Sequence, residues 1–119
     1  MDNRPKTVIC DIDGTLVTHT NPAKAANINH SMEILPGTLT KLMEWEANGY
    51  KIILLTGRKE SMRFVTERQL AEVGIFYDQL IMGVGGGARY LINDVKPDGE
   101  EAAFAINVQR NGGINNIKI

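Results

Sequence analysis

The chain has 119 residues, 43% hydrophobic and 23% charged, which suits one globular domain (residues 1–119) with its own core and leaves no room for a second. Its 13 basic and 14 acidic residues nearly cancel, so it lacks the basic excess of proteins held by nucleic-acid backbones, and this argues against a nucleic-acid partner. Cys10 is the only cysteine, which excludes an internal disulfide and fits a reducing compartment; residues 1–6 hold no apolar signal core and no run approaches a membrane span, so the expected location is the cytoplasm.

Residues 7–12, Thr-Val-Ile-Cys-Asp-Ile, read as a strand, and their near-continuous apolar character predicts burial on both faces, as in a central parallel strand. The strand delivers Asp11 and Asp13 to an edge. Alternation places both on one side, where their charges repel unless a cation sits between them, and Mg²⁺ is the expected cation. Gly14 permits a tight turn, and Thr15 can hydrogen-bond the chain that follows. A lone Asp-Gly is most simply a capped turn after an edge strand, whereas the whole Asp-x-Asp-Gly-Thr pattern behind a buried strand is far more specific. Residues 18–31 are polar, Asn-rich and without period. They form a predicted loop that leaves the acidic turn directly and can lie over the same site. His19 and His30 in it read first as solvent-exposed or hydrogen-bonding residues rather than metal ligands, because no third ligand is spaced with them, and substrate contact is the one functional role left open to them.

Leu35-Pro36-Gly37-Thr38 marks a turn into a helix with Thr38 as N-cap, Leu39, Leu42, Met43 and Glu46 along its surface, Trp45 in the core, and Gly49 as its stop. Residues 50–55 are a second strand, ending in Thr56-Gly57-Arg58. Residues 60–73 follow as a helix packing through Met62, Val65, Leu70 and Val73, with Arg63, Glu67, Arg68 and Glu72 on a solvated face and Gly74 as its end. A third strand is predicted over 78–82 and a fourth over 88–93, ending in Asn93-Asp94. The glycine cluster between them lacks a Gly-Lys-Ser/Thr ending and a following helix, so it reads as a flexible connection rather than a phosphate loop. Residues 101–109 are open between a helix and an edge strand over 103–108; 111–113 is a turn, and the tail 114–119 is expected along a sheet edge.

Strands alternating with helices predict a right-handed, mostly parallel α/β sheet whose ligands bind at the carboxyl ends of the strands. Asp11 and Asp13, Thr56 and Gly57, and Asp94 all fall at that edge, so they are expected to share a pocket.

With these motifs in place, the sequence resembles the haloacid dehalogenase (HAD) superfamily over residues 8–98. Asp-Ile-Asp-Gly-Thr is similar to its first motif, Leu-Leu-Thr-Gly-Arg to its second, and Asn-Asp-Val-Lys-Pro-Asp to its acidic fourth. The resemblance implies a three-layer Rossmann-like sheet and Mg²⁺-dependent hydrolysis of phosphate monoesters, with a phosphorylated small metabolite such as a sugar phosphate as substrate. It makes Asp11 the nucleophile that forms an aspartyl-phosphate and Asp13 the acid and base. Asp11, the Asp13 carbonyl and Asp94 would hold Mg²⁺, while Thr56 and the Gly57 amide would hold the phosphoryl oxygens. Asp98 fits the spacing of the acidic motif and reads equally as a helix cap. The third-motif lysine is missing between Lys59 and Lys96, so Arg89, Lys59 and Lys96 are the substitutes, and Arg58, Arg63 and Arg68 read as surface charges. The short insertions imply a member without a substantial cap, whose open site suits a large substrate or a homo-oligomer with a neighbouring subunit as lid. The alternatives are a phospho-accepting receiver domain, which wants its aspartate at the end of a middle strand, and a degenerate member that binds phosphate or a partner without turnover.

Overall fold

Two apolar runs pair in parallel to start the sheet: β1 (Thr7–Asp11) lies along β2 (Lys51–Leu55), with Cys10 opposite Leu54. A third strand, β3 (Gln79–Ile81), pairs in parallel on the other side of β2. The protein, described here by a computed structural model over residues 3–119, is a small α/β domain on this three-stranded sheet, ordered β1-β2-β3. Met1 and Asp2, the first of the residues read for a signal core, lie outside the described part.

The central-strand expectation for β1 is corrected: β2 is central and β1 is an edge. Register and pleat put Cys10, Ile52, Leu54 and Leu80 on one face, where all four are buried. The opposite face carries Ile9 and Ile81, 49% and 44% exposed. An apolar run therefore marked the strand correctly but did not report its neighbours.

The helices cover the buried face and steer the loops. Five-residue α1 (Pro22–Ala26) interrupts the predicted loop; Asn21 caps it by accepting from the Lys24 amide at 2.9 Å, and Pro22 suits its first turn. In α2 (Thr38–Ala47) Leu42 and Trp45 enter the core as expected. Thr38 is not its N-cap. Gly37 holds that position at φ 87°, which frees the buried Thr38 hydroxyl to donate to the Leu16 carbonyl at 2.7 Å and tie the helix to the acidic turn. A 3-10 turn (Glu60–Met62) leads into α3 (Arg63–Glu72), whose Arg63 pairs with Glu60 and Glu67 on the solvated side. Its buried side is polar at Thr66 and Gln69, beside Leu70.

Beyond β3 the chain departs from expectation. The predicted strand over 88–93 is not formed, and residues 101–109 make neither helix nor strand. Tyr90, Leu91, Ile92, Phe104 and Ile106 are exposed, Ile92 to 94%. A β-prone run needs a partner edge and a packed face to become a strand, and this one, following glycines with open space around them, has neither. The tail does not run along an edge either. It crosses to the other side of the domain and inserts Ile114 into the core at 1% exposure, held by its amide donating to the Pro36 carbonyl at 3.0 Å.

That crossing depends on two glycines. A Cβ on Gly113 (φ 83°) would stand 2.5 Å from the Pro36 carbonyl oxygen, and one on Gly37 2.5 Å from the Asn115 backbone. Gly113→Ala is therefore expected to cost about 1–3 kcal/mol, read as a lower urea midpoint with an unchanged slope.

Cys10 gives a second check. Burial, and next the charge of Asp11, pushes its thiol up to about 12. The folded state keeps a proton that the unfolded thiol releases near its ordinary value of about 8.5, so this contribution to stability is complete below that value and is lost as pH rises toward 12. The native protein should be inert to a thiol reagent at about pH 8 and react fully once unfolded in denaturant.

Candidate active site

The acidic turn is built on one carbonyl. Ile12, fully buried, accepts from the amides of Thr15, Leu16 and Val17 at 3.1, 2.9 and 3.2 Å, and Gly14 (φ 87°) closes the turn by donating to Val17 at 2.7 Å. Ile12 and Leu16 point into the core, which leaves Asp11 and Asp13 at its surface.

No shared cation is needed to hold these carboxylates near each other, because each has its own guanidinium. Arg58 forks onto Asp13, Nε to Oδ2 at 3.0 Å and Nη2 to Oδ1 at 2.8 Å. Arg89 reaches Asp11 Oδ1 at 3.3 Å, and the Thr15 hydroxyl donates to Asp11 Oδ2 at 3.3 Å.

Arg58 corrects the sequence reading, which left it among surface charges. Its side chain is only 6% exposed, and Nη1 donates to Thr66 at 3.2 Å and to Gln69 Oε1 at 2.7 Å. Gln69 then donates from Nε2 to the carbonyls of Ala25 at 3.2 Å and Asn27 at 2.9 Å. The signal was present as two polar residues three apart on one helix side, but hydrophobic periodicity does not register a polar buried face.

The second strand end is laced to the chain after β3. Thr56 donates to Ile81 at 3.0 Å, while Val84 donates to Thr56 at 2.9 Å and Gly83 to Arg58 at 2.7 Å. The buried Thr56 hydroxyl accepts from the Arg58 amide at 3.1 Å, which leaves its own proton to donate outward. Gly57 packs closely here, since a Cβ there would lie 3.0 Å from the Val84 carbonyl oxygen.

Of the three substitutes for the missing lysine, Arg89 stands at Asp11. Lys59 is exposed before the 3-10 turn, and Lys96 lies in a turn closed by Gly99 donating to its carbonyl at 2.7 Å. Arg110, which no motif announced, lies against the acidic turn: a Cβ on Gly14 would meet its Cγ at 3.2 Å. Asn111 fixes it there. Its amide donates to the Gly14 carbonyl at 2.8 Å, its Oδ1 accepts from the His19 amide at 2.8 Å, and it adopts φ 63°, a conformation asparagine tolerates.

The Mg²⁺ ligand set is not assembled. Asp94 is exposed, and no group of three His, Cys, Asp or Glu residues among the described residues could hold a metal. Of the expected ligands, Asp11 already accepts hydrogen bonds on both carboxylate oxygens. This arrangement does not fit the ion, so the third strand-end cluster does not join the other two. The reason is the unformed fourth strand, which would have had to deliver Asp94.

The profile of the polynucleotide kinase PNKP phosphatase domain matches residues 5–90, from the approach to β1 through Arg89. The chain belongs to this family. It is thereby a HAD-superfamily, phosphatase-type domain, a family that points to a hydrolase. It is 37% identical to a chain of a Pnkp1/Rnl/Hen1 complex over 72% of its own length, with a TM-score of 0.58. It is 36% identical over 79% to a chain of the Pnkp1/Rnl/Hen1 RNA repair complex, with a TM-score of 0.57. The chain spans 30% and 28% of the length of those two. A crystallised target from Vibrio cholerae, 20% identical with a TM-score of 0.53, shares the fold over 78% of this chain and 85% of its own. Comparison with curated protein sequences gives no match. Among the described residues, no helix is long and apolar enough to cross a membrane.

Arg58→Lys keeps the charge of this HAD domain but not the fork. Because Asp13 retains some solvent contact, the expected loss is about 1–3 kcal/mol, measured by denaturant unfolding against wild type.

Proposed function

We propose that this domain is a phosphomonoesterase in which Asp11 is the nucleophile and Asp13 the proton-transfer group. The observation that carries this reading is the pair of carboxylates held at the end of β1, each by a separate arginine, inside the region that matches a phosphatase family. An Asp11 oxygen attacks phosphorus, the bond to the ester oxygen breaks, and the leaving oxygen takes a proton from Asp13 in its acid form. Water then attacks the aspartyl-phosphate, giving its proton to the Asp13 carboxylate, and inorganic phosphate departs as Asp11 is regenerated.

In this reading Arg89, already beside Asp11, offsets the repulsion between the nucleophile and an anionic ester, and the Thr56 hydroxyl and Gly57 amide hold the equatorial oxygens. Arg58 keeps Asp13 aimed. The fork suits an ionised Asp13, so it supports the water-activating half of the cycle directly, while the acid half needs one prong released. Mg²⁺ enters on the family resemblance alone, as a source of charge neutralisation, and no step above is routed through it.

The substrate proposed is a phosphorylated small metabolite such as a sugar phosphate. The balanced overall charge does not exclude a nucleic-acid end, because Arg58, Arg89 and Arg110 gather at the acidic turn and two similar chains belong to Pnkp1/Rnl/Hen1 assemblies. A second reading, phosphate binding without turnover, is favoured by the unassembled metal ligands. The receiver reading has no support, since the middle strand β2 runs into Thr56 rather than an aspartate.

The test is hydrolysis of a panel of phosphate monoesters, including a 3′-phosphorylated oligonucleotide, with Mg²⁺ and again in EDTA. Wild type should release phosphate and Asp11→Asn should lose at least about a thousandfold in kcat. Arg89→Gln should raise KM about tenfold or more. Activity surviving in EDTA removes the metal from this reading, and an inactive wild type that still binds phosphate moves the assignment to the second.

A further inference from the structure

A cavity of about 230 Å³ opens in the loop that follows the acidic turn, lined by His19, Thr20, Asn21, Lys24, His30 and Glu33. It adjoins the acidic turn through His19. His19 stands with its Cβ 3.8 Å from where a Cβ on Gly14 would be, and its amide is clamped by Asn111. Val17 bridges to Asp13 on one side and to Ile34 on the other, so both ends of the cavity loop are fastened to the carboxylate turn. At its far side, Gln69 ties Ala25 and Asn27 to Arg58.

Two side-chain atoms of residues that line this cavity, Thr20 Oγ1 and His30 Nε2, are shielded from solvent and have no hydrogen-bond partner, and they are the ones so found among the described residues. Buried polar atoms are rarely left this way, since each gives up its water contacts without replacement. Both belong to side chains that line the same recess, where a small turn of the Thr20 hydroxyl or the His30 ring toward an occupant would supply the missing bonds.

The chemistry of the lining defines that occupant. Hydroxyl, amide, imidazole, ammonium and carboxylate groups together can all be satisfied by hydroxyls, which both donate and accept. Glu33 disfavours a second phosphate there. No Phe, Tyr or Trp lines the cavity, so it offers no platform for stacking a base. Its volume falls below the roughly 300 Å³ at which pockets for larger ligands begin, so a single ring of sugar size is the scale it accepts.

We propose that this cavity is the subsite for the leaving group of the ester, and that it takes a hydroxyl-rich, monosaccharide-sized group whose hydroxyls pair with Thr20 and His30. This deepens the phosphomonoesterase reading and rests on it. The loop then has the role of a built-in recognition surface for a domain with little insertion to serve as cap.

The experiment compares wild type, Thr20→Val and His30→Leu on hexose and pentose phosphates, on phenyl phosphate, which has no free hydroxyl on its leaving group, and on a 3′-phosphorylated oligonucleotide. Each variant should lower the ratio of kcat/KM for the best sugar phosphate over that for phenyl phosphate by roughly three- to tenfold, through KM rather than kcat. An unchanged ratio overturns the proposal, as does a wild type that prefers the oligonucleotide and keeps that preference in both variants. If wild type hydrolyses nothing, the phosphatase reading fails separately, and the cavity is then read by titrating unphosphorylated sugars while following the ring signals of the two histidines by NMR. A saturable shift that Thr20→Val abolishes supports the subsite, and no shift in wild type, as for a recess holding water only, overturns it.

Discussion

The guanidinium of Arg58 is the group on which the arrangement of this domain depends. A cation this far removed from water must be matched on its donor sites, and four contacts do so: two to Asp13, one to Thr66 and one to Gln69. Those partners come from the acidic turn and α3, while Arg58 itself leaves β2, so three separate stretches meet at one planar group. Gln69 extends the connection by donating to Ala25 and Asn27. The strand that supplies the carboxylates, the helix behind it and the loop in front cannot shift independently without leaving a buried polar group unpaired.

The same arginine settles how two acidic residues can stand two positions apart at a strand end. Each carboxylate has a private cation, and the two cations differ in kind. Arg58 is buried and forked, which holds Asp13 in a fixed plane; Arg89 is half-exposed and touches Asp11 through a single nitrogen. A fork resists displacement, whereas a single contact at 3.3 Å exchanges readily with another anion. The geometry thus leaves Asp11 the freer of the two.

How much of this was legible in the sequence follows from what hydrophobic pattern can and cannot carry. β1, β2, β3 and the two longer helices were read within a few residues, because each is marked by an apolar run or stripe bounded by glycine or a polar turn. The strand ends of β1 and β2 were read for the same reason, and with them Asp11, Asp13, Thr56 and Gly57 as neighbours of one edge. The run over 88–93 had the same composition as a strand and was misread, since strand formation depends on a partner that composition does not name. Arg58 was passed over because its counterparts, Thr66 and Gln69, look like surface residues of a charged helix until the fold turns them inward. Arg110 and Asn111 could not be found at all by pattern, as their partners Gly14 and His19 lie more than ninety positions away in the chain.

That last distance shows how the turn of Asp11 and Asp13 is completed. Its near side is fixed locally, by the Ile12 carbonyl and by Thr38 from α2. Its far side is fixed by a segment that leaves the sheet after β3, runs through exposed apolar residues without forming a further strand, and returns to place Asn111 on Gly14 before Ile114 anchors it in the core. The entropy lost in closing so long a loop is offset at the anchor by buried apolar surface and three backbone-directed hydrogen bonds. The segment between also brings Arg89 to Asp11, and beyond it stays exposed until its end is fixed. What the end secures is the junction between the acidic turn and the loop carrying His19, since Asn111 bonds both.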